Sequence, residues 1–159
     1  MKIKVGFGFD VHKLKKGADL WIGGVKIQSE RGAVGYSDAD VLIHAICDAL
    51  LGAINLRDIG FLFPDTDPQY KGIDSKKLLT EVCKLVAQND YSINNIDSTV
   101  CLEQPKISSY IPEIKKTLAE TAGLSEDDIS VKATTTEELG FTGRAEGIAA
   151  YAIALVKKK

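Results

Sequence analysis

Residues Ile3 to His12 alternate, and the two sides of the alternation differ in kind. Ile3, Val5, Phe7, Phe9 and Val11 fall on one side; Lys4, Gly6, Gly8, Asp10 and His12 fall on the other. A period of two predicts a half-buried strand from Ile3 to Val11. The two glycines leave its second face bare, so another element can approach the backbone closely there. No other segment limits the fold as much.

The remaining pattern mixes helices and strands. Leu20 to Ile27 read as a hairpin around Gly23-Gly24. Ser37 or Asp38 can cap a helix running through Leu51, which Gly52 helps to end. Val41, Leu42, Ala45, Ile46, Ala49 and Leu50 form its apolar stripe, while Asp40, His44 and Asp48 share another face. Asp58 to Tyr70 is a long loop punctuated by Gly60, Pro64 and Pro68 and carrying Asp58, Asp65 and Asp67. Helices are predicted over Ser75–Ala87 and from Ile107 or Ile111 to Ala122, the latter stopped by Gly123. Strands are predicted over Ile93–Leu102 and Ile129–Ala133. Thr134 to Arg144 reads as a polar loop with room for one helical turn. Ile148 to Val156 stays open: its alanines favour helix, while its short apolar run suits a buried strand.

The chain has 159 residues, a length suited to one domain with a sizeable core. No linker, repeat or low-complexity stretch divides it. A net charge of −2 argues against a nucleic-acid surface. No leader is expected at the N-terminus, and no apolar run is long enough to cross a bilayer. Cys47, Cys83 and Cys101 are odd in number and lack a Cys-x-x-Cys, so they are expected to be reduced thiols in a cytoplasmic protein.

The only two histidines carry the strongest chemical signal. Residues two apart on a strand share a face, so Asp10 and His12 can converge on one ion, and His44 would arrive from the facing helix. One carboxylate and two imidazoles leave an open position on zinc, the pattern of a catalytic site. Spacing alone also leaves open a plain hydrogen-bonded pair. Asp48, one turn beyond His44, can orient a ligand imidazole or simply face solvent. Asp58, Asp65 and Asp67 suit general bases, hydroxyl acceptors or a second metal site, and equally suit turns. Thr134 to Thr136 with Glu137 offer oxygens for phosphate and Mg²⁺, or a capping box between Thr134 and Glu137. Arg144 can clamp a phosphate or form a surface ion pair. Pro105-Lys106 can line a pocket or start the next helix.

Several long motifs, in one order, resemble the 2-C-methyl-D-erythritol 2,4-cyclodiphosphate synthase family. They are Gly6-Phe-Gly-Phe-Asp-Val-His12, Ser37-Asp-Ala-Asp-Val-Leu-Ile-His44, Asp48-Ala-Leu-Leu-Gly-Ala53, Asp58-Ile-Gly60, Phe63-Pro-Asp-Thr-Asp67, Pro105-Lys106, Lys132-Ala-Thr-Thr-Thr-Glu137 and Leu139-Gly-Phe-Thr-Gly-Arg144. The resemblance covers essentially the whole chain. It implies a single catalytic α+β domain over residues 1–159, with a mixed four-stranded β-sheet packed against α-helices. It makes Ile148–Val156 a strand. It further implies a homotrimer with active sites between subunits.

The activity implied is conversion of 4-diphosphocytidyl-2-C-methyl-D-erythritol 2-phosphate to the 2,4-cyclic diphosphate and CMP. By the same resemblance Asp10, His12 and His44 hold Zn²⁺, Glu137 holds Mg²⁺ or Mn²⁺, and Thr135 stabilises the transition state. The implied substrate-binding set is Asp10, Val11, His12, Tyr36 and Ser37; Asp58, Ile59 and Gly60; and Phe63, Pro64, Asp65, Thr66 and Asp67. It continues with Leu102, Glu103, Gln104, Pro105, Lys106, Ile107 and Ser108, then Ala133, Thr134, Thr135, Thr136 and Glu137, and ends with Phe141 and Arg144. In the family, the region around Phe141 and Arg144 also lines a cavity on the trimer axis thought to accept isoprenoid phosphates.

One position departs from the family. Tyr36 stands where the pattern has a catalytic histidine before Ser-Asp. A phenol can donate one hydrogen bond but carries no positive charge. Losing a charge-assisted contact costs about 1–3 kcal/mol, roughly ten- to a hundredfold in rate. Two alternatives therefore accompany the cyclising lyase: a zinc phosphohydrolase, and a low-turnover trimer that binds a nucleotide or isoprenoid phosphate.

Overall fold

A computed structural model describes residues 1–159. In chain order it contains β1 (Ile3–Lys16), β2 (Leu20–Ile22), β3 (Val25–Ile27), β4 (Arg31–Val34), α1 (Val41–Ala53), α2 (Ile59–Leu62), α3 (Ser75–Gln88), β5 (Tyr91–Cys101), α4 (Ile111–Ala122), β6 (Ile129–Thr134), α5 (Gly140–Gly143) and β7 (Gly147–Lys158). The main sheet has the order β4-β1-β7-β5-β6. Only β5 and β6 run parallel, so the sheet is mixed as expected. It has five strands rather than four. The extra one is β4, which pairs Arg31–Val34 with Lys13–Lys16 beyond the predicted end of β1. Four residues are too few to display an alternation. β2 and β3 form the separate hairpin around Gly23-Gly24.

Helix α1 lies directly on β1 and β7. A Cβ built on Gly6 would overlap the carbonyl oxygen of Ala49, and one on Gly8 would overlap that of Ala45. Four helical residues rise about 6 Å, and two strand residues about 6.6 Å. Successive helix turns therefore meet successive glycines. The same contact explains β7. Ala150, Ala152 and Ala154 are buried on the helix side, while Tyr151 and Ile153 point the other way. Alanine serves here as the small residue of a strand beneath a helix, against its helical propensity.

The strand is half-buried, but the glycine side is the buried one. On the apolar side Val5 is 65% exposed, Phe7 62% and Phe9 44%. Tyr151 lies beside Phe9, with ring centroids 5.1 Å apart. An apolar band thus crosses the open face of the sheet, the kind of contiguous patch that marks an interaction surface.

Helix ends follow side-chain chemistry. Asp40, rather than Ser37 or Asp38, caps α1 by accepting from Ile43 N at 3.0 Å. Its carboxyl also accepts from Gly23 N at 2.9 Å and Gly24 N at 2.7 Å, which ties the hairpin tip to the helix. Burial pushes this carboxyl above its usual range despite the three amide donors. Gly123 ends α4 in the left-handed region (φ 68°). Leu42, Ile46 and Leu50 of α1 and Leu79 and Val82 of α3 form the centre of the core. No helix is long and apolar enough to cross a membrane.

The close helix contact predicts the effect of Gly8→Ala. Replacing a strand glycine ordinarily gains about 0.5–1 kcal/mol. Overpacking against a helix backbone outweighs that, at about 3 kcal/mol. The thermal midpoint is expected to fall by roughly 5–10 °C. A midpoint at or above that of the parent chain would overturn the contact.

Candidate active site

Three donor atoms converge where β1 meets the first turn of α1. Asp10 Oδ2 lies 2.9 Å from His12 Nε2 and 3.1 Å from His44 Nδ1, and the two ring nitrogens are 3.2 Å apart. This near-equilateral triangle is the one cluster of metal-ligand geometry in the chain. Its position follows from the helix contact. With Ala49 over Gly6 and Ala45 over Gly8, the next step along β1 brings the start of α1 to Asp10.

Outer hydrogen bonds decide what the ring nitrogens present. His12 Nδ1 is 3.2 Å from the Val34 carbonyl, which can only accept. His12 therefore donates from Nδ1, and in the neutral ring this leaves the Nε2 lone pair facing inward. His44 Nε2 is 2.9 Å from Ser75 Oγ and 3.1 Å from Ser37 Oγ. Burial pushes Asp10 upward, but the hydrogen bonds and charges of His12 and His44 outweigh it and hold the carboxyl at about 2. Burial pulls the His44 imidazole down, and the hydrogen bond and charge of Asp10 more than reverse this. With both rings neutral, three acceptors this close call for a cation among them. Tetrahedral zinc with bonds of about 2.0–2.1 Å spaces its ligands about 3.3 Å apart. The triangle fits one face of such a site and leaves the fourth corner open.

That corner faces a cavity of about 350 Å³ lined by Asp10, His12, Tyr36, Ser37, His44, Ile59, Gly60, Phe63 and Asp65, together with Tyr70, Ile73 and Leu78. None of these three is in the expected substrate-binding set: Tyr70 ends the Asp58–Tyr70 loop, and in the sequence Ile73 and Leu78 look like ordinary core residues. Asp58 caps α2 by accepting from Phe61 N at 3.0 Å, and Asp67 accepts from Gln69 N at 3.0 Å. These two therefore serve as turn caps, and neither lines the cavity. Tyr36 reaches across and donates its hydroxyl to the Asp67 carbonyl at 3.0 Å. Asp48 does not orient His44. It accepts from Ile59 N at 2.8 Å and anchors α2.

The other named residues lie elsewhere in the same chain. Glu103, Gln104, Pro105 and Lys106 line a second cavity of about 720 Å³ with Gln28, Ser29, Glu30, Arg31 and Ala145. The Thr134–Glu137 segment runs beside them, with Leu102 N donating to Thr134 O at 3.0 Å and Thr136 N to Glu103 Oε2 at 3.4 Å. The capping box is absent: Glu137 N reaches Thr135 Oγ1 at 3.4 Å, and Thr134 Oγ1 bonds the Thr135 carbonyl. Arg144 forms a two-point ion pair with Glu146, at 3.0 and 3.3 Å. The sheet register measures the separation. Asp10, Ala150, Val100 and Ala133 occupy one row across four strands. Three strand spacings put Asp10 and Ala133 about 14 Å apart.

A helix-covered mixed sheet carrying an open triad of one carboxylate and two imidazoles defines an α+β protein with a candidate catalytic metal site. The chain belongs to the YgbB family, whose pattern matches residues 3–157. It is 60% identical over 158 residues to 2-C-methyl-D-erythritol 2,4-cyclodiphosphate synthase of Bacteroides fragilis, covering 99% of each chain. The protein of that name from Cytophaga hutchinsonii is 54% identical, again over 99% of each. Among solved structures, the bifunctional IspDF of Campylobacter jejuni superposes with a TM-score of 0.95 at 40% identity; the match covers 99% of this chain and 43% of that one. A CDP complex of IspF from Plasmodium falciparum gives 0.87 at 35% identity, covering 99% and 97%.

Loss of one donor tests the triad. His44→Ala leaves two protein ligands and is expected to abolish stoichiometric binding of a divalent metal, as read by elemental analysis of the purified variant. A full complement of metal in that variant would remove His44 from the ligand set.

Proposed function

We infer that this chain converts 4-diphosphocytidyl-2-C-methyl-D-erythritol 2-phosphate to 2-C-methyl-D-erythritol 2,4-cyclodiphosphate and CMP, a cyclising phosphorus–oxygen lyase step in isoprenoid precursor biosynthesis. The observation that carries this reading is the open triad at the floor of a cavity, in a chain 60% identical to a synthase of that name. The nucleophile is the substrate's own 2-phosphate. It attacks the β-phosphorus, a new P–O bond closes the ring, and the bond to the CMP phosphate breaks. An anionic phosphate needs no strong base, so the task is positioning and charge neutralisation.

The residues divide that task. Asp10, His12 and His44 would hold Zn²⁺, and Glu137 would hold Mg²⁺ or Mn²⁺. When bound, these ions neutralise phosphate oxygens and align the two phosphorus groups. Asp10 suits a ligand role because its carboxyl stays anionic far below neutral pH. Asp58, Ile59, Gly60 and the Phe63–Asp67 loop hold the methylerythritol part around the smaller cavity. Leu102 to Ser108 with Ala133 and Thr134 hold the cytidine part, and Thr135 donates to the reacting phosphate. Phe141 and Arg144 belong to the substrate contacts.

The chain acts as a single catalytic domain, residues 1–159, within a homotrimer. Two observations support the assembly. Val5, Phe7, Phe9 and Tyr151 form an exposed apolar band, and the two halves of the site lie about 14 Å apart across one sheet. A neighbouring copy would cover the first and bring its own Thr134–Glu137 segment to the triad. Three free thiols, Cys47, Cys83 and Cys101, suit a cytoplasmic setting.

Incubation with substrate, Zn²⁺ and Mg²⁺ tests the reaction and the assembly together. Equimolar CMP and cyclic diphosphate, from a protein sedimenting at the mass of three chains, are the expected result. An open-chain phosphate would point to hydrolysis, intact bound substrate to a binding protein, and turnover by a monomer would refute the shared site. Tyr36 gives a second test. Its hydroxyl is engaged by the Asp67 carbonyl, and it brings no positive charge to the cavity. Tyr36→His is expected to raise turnover at saturating metal by roughly tenfold or more. An equal or lower rate would show that the phenol is no handicap.

A further inference from the structure

We propose that Ser75, held by Asp38, is a positioning residue that fixes which nitrogen of His44 faces the metal triad and thereby sets metal affinity. The inference rests on the metal reading of Asp10, His12 and His44. Ser75 is the first residue of α3 and fully buried. Its Oγ lies 2.9 Å from His44 Nε2 and 2.5 Å from Asp38 Oδ1. Its amide donates to Asp38 Oδ2 at 2.8 Å, and Asp38 Oδ1 also accepts from Asp40 N at 3.1 Å.

A hydroxyl has one proton and can either donate or accept toward a ring nitrogen. Toward His44 that freedom is removed. Both carboxylate oxygens of Asp38 are acceptors in this network, so the short contact takes the single Ser75 proton. Ser75 Oγ then has only lone pairs to offer, and His44 must donate from Nε2. In the neutral ring that a metal ligand requires, the consequence is a lone pair on Nδ1, 3.1 Å from Asp10 and 3.2 Å from His12. His12 reaches the same state more simply, since its outer nitrogen meets a backbone carbonyl. Ser37 Oγ, at 3.1 Å, can accept a share of the same proton. It lacks a carboxylate that forces it to do so.

Removal of such an outer hydrogen bond typically lowers metal affinity 10- to 100-fold. Zinc affinity, read by competition with a chromophoric chelator, is expected to fall by about that factor in Ser75→Ala. Ser75→Thr, which keeps the hydroxyl, should stay near the parent value. A second readout needs no variant. In the ¹⁵N-labelled parent protein with zinc bound, the proton on His44 Nε2 should exchange slowly with water. A rapidly exchanging Nε2 proton in the parent, or zinc binding by Ser75→Ala as tight as the parent's, would overturn the role of Ser75. A parent chain that takes up no zinc would overturn the metal reading itself, an outcome distinct from tight binding by both proteins.

Discussion

The contact between the backbone of α1 and the bare face of β1 is the constraint on which the rest depends. Packing distances between helix and sheet are normally set by side chains. Here the helix rests on Gly6 and Gly8 and on the alanines of β7. The near-match between one helix turn and two strand residues keeps the two in step over several contacts. A separation a few ångströms greater would carry His44 away from Asp10 and His12. The same glycines that lower the strand's intrinsic stability therefore determine the geometry of the site.

Much of this was legible in the chain, and the exceptions have identifiable causes. The alternation in Ile3–Val11 revealed the strand and its bare face. It could not reveal that the apolar side would remain open, because burial by a second copy and burial by the chain's own core leave the same pattern. The alanines of β7 read equally as helix or strand until the helix above them was known. Asp10, His12 and His44 were visible because two residues on a strand share a face and histidines are scarce. Ser75 was not. Its link to His44 spans 31 residues and resembles an ordinary first position of a helix. Asp48 lies on the right helix face by spacing but is drawn to the amide of Ile59. The candidate site was thus readable in its metal donors and less so in the groups that orient them.

The sheet also separates the two groups of residues proposed to act on the substrate. Its β1 edge region carries the triad and the smaller cavity, while the ends of β5 and β6 carry the Thr134–Glu137 segment and the cavity beside Pro105 and Lys106. Substrate contacts on one chain are therefore halves of two different sites in the proposed assembly. A neighbouring copy, as in the proposed assembly, would explain both the exposed aromatic band and this division.

Asp40 bears on which ion the proposed metal site would accept. Its buried carboxyl fastens the hairpin tip, through Gly23 and Gly24, to the turn of α1 that begins four residues before His44. With α1 seated on glycine, neither strand nor helix can yield far. The donors are spaced before any ion arrives, and little conformational freedom remains to be lost on binding. A triangle held to edges of 2.9–3.2 Å suits short bonds to a small ion. Ca²⁺, which seeks six to eight oxygens at longer range, finds neither the number nor the spacing. At the proposed metal site stiffness would become selectivity, and a carboxyl outside the triad would help to decide which ion is admitted.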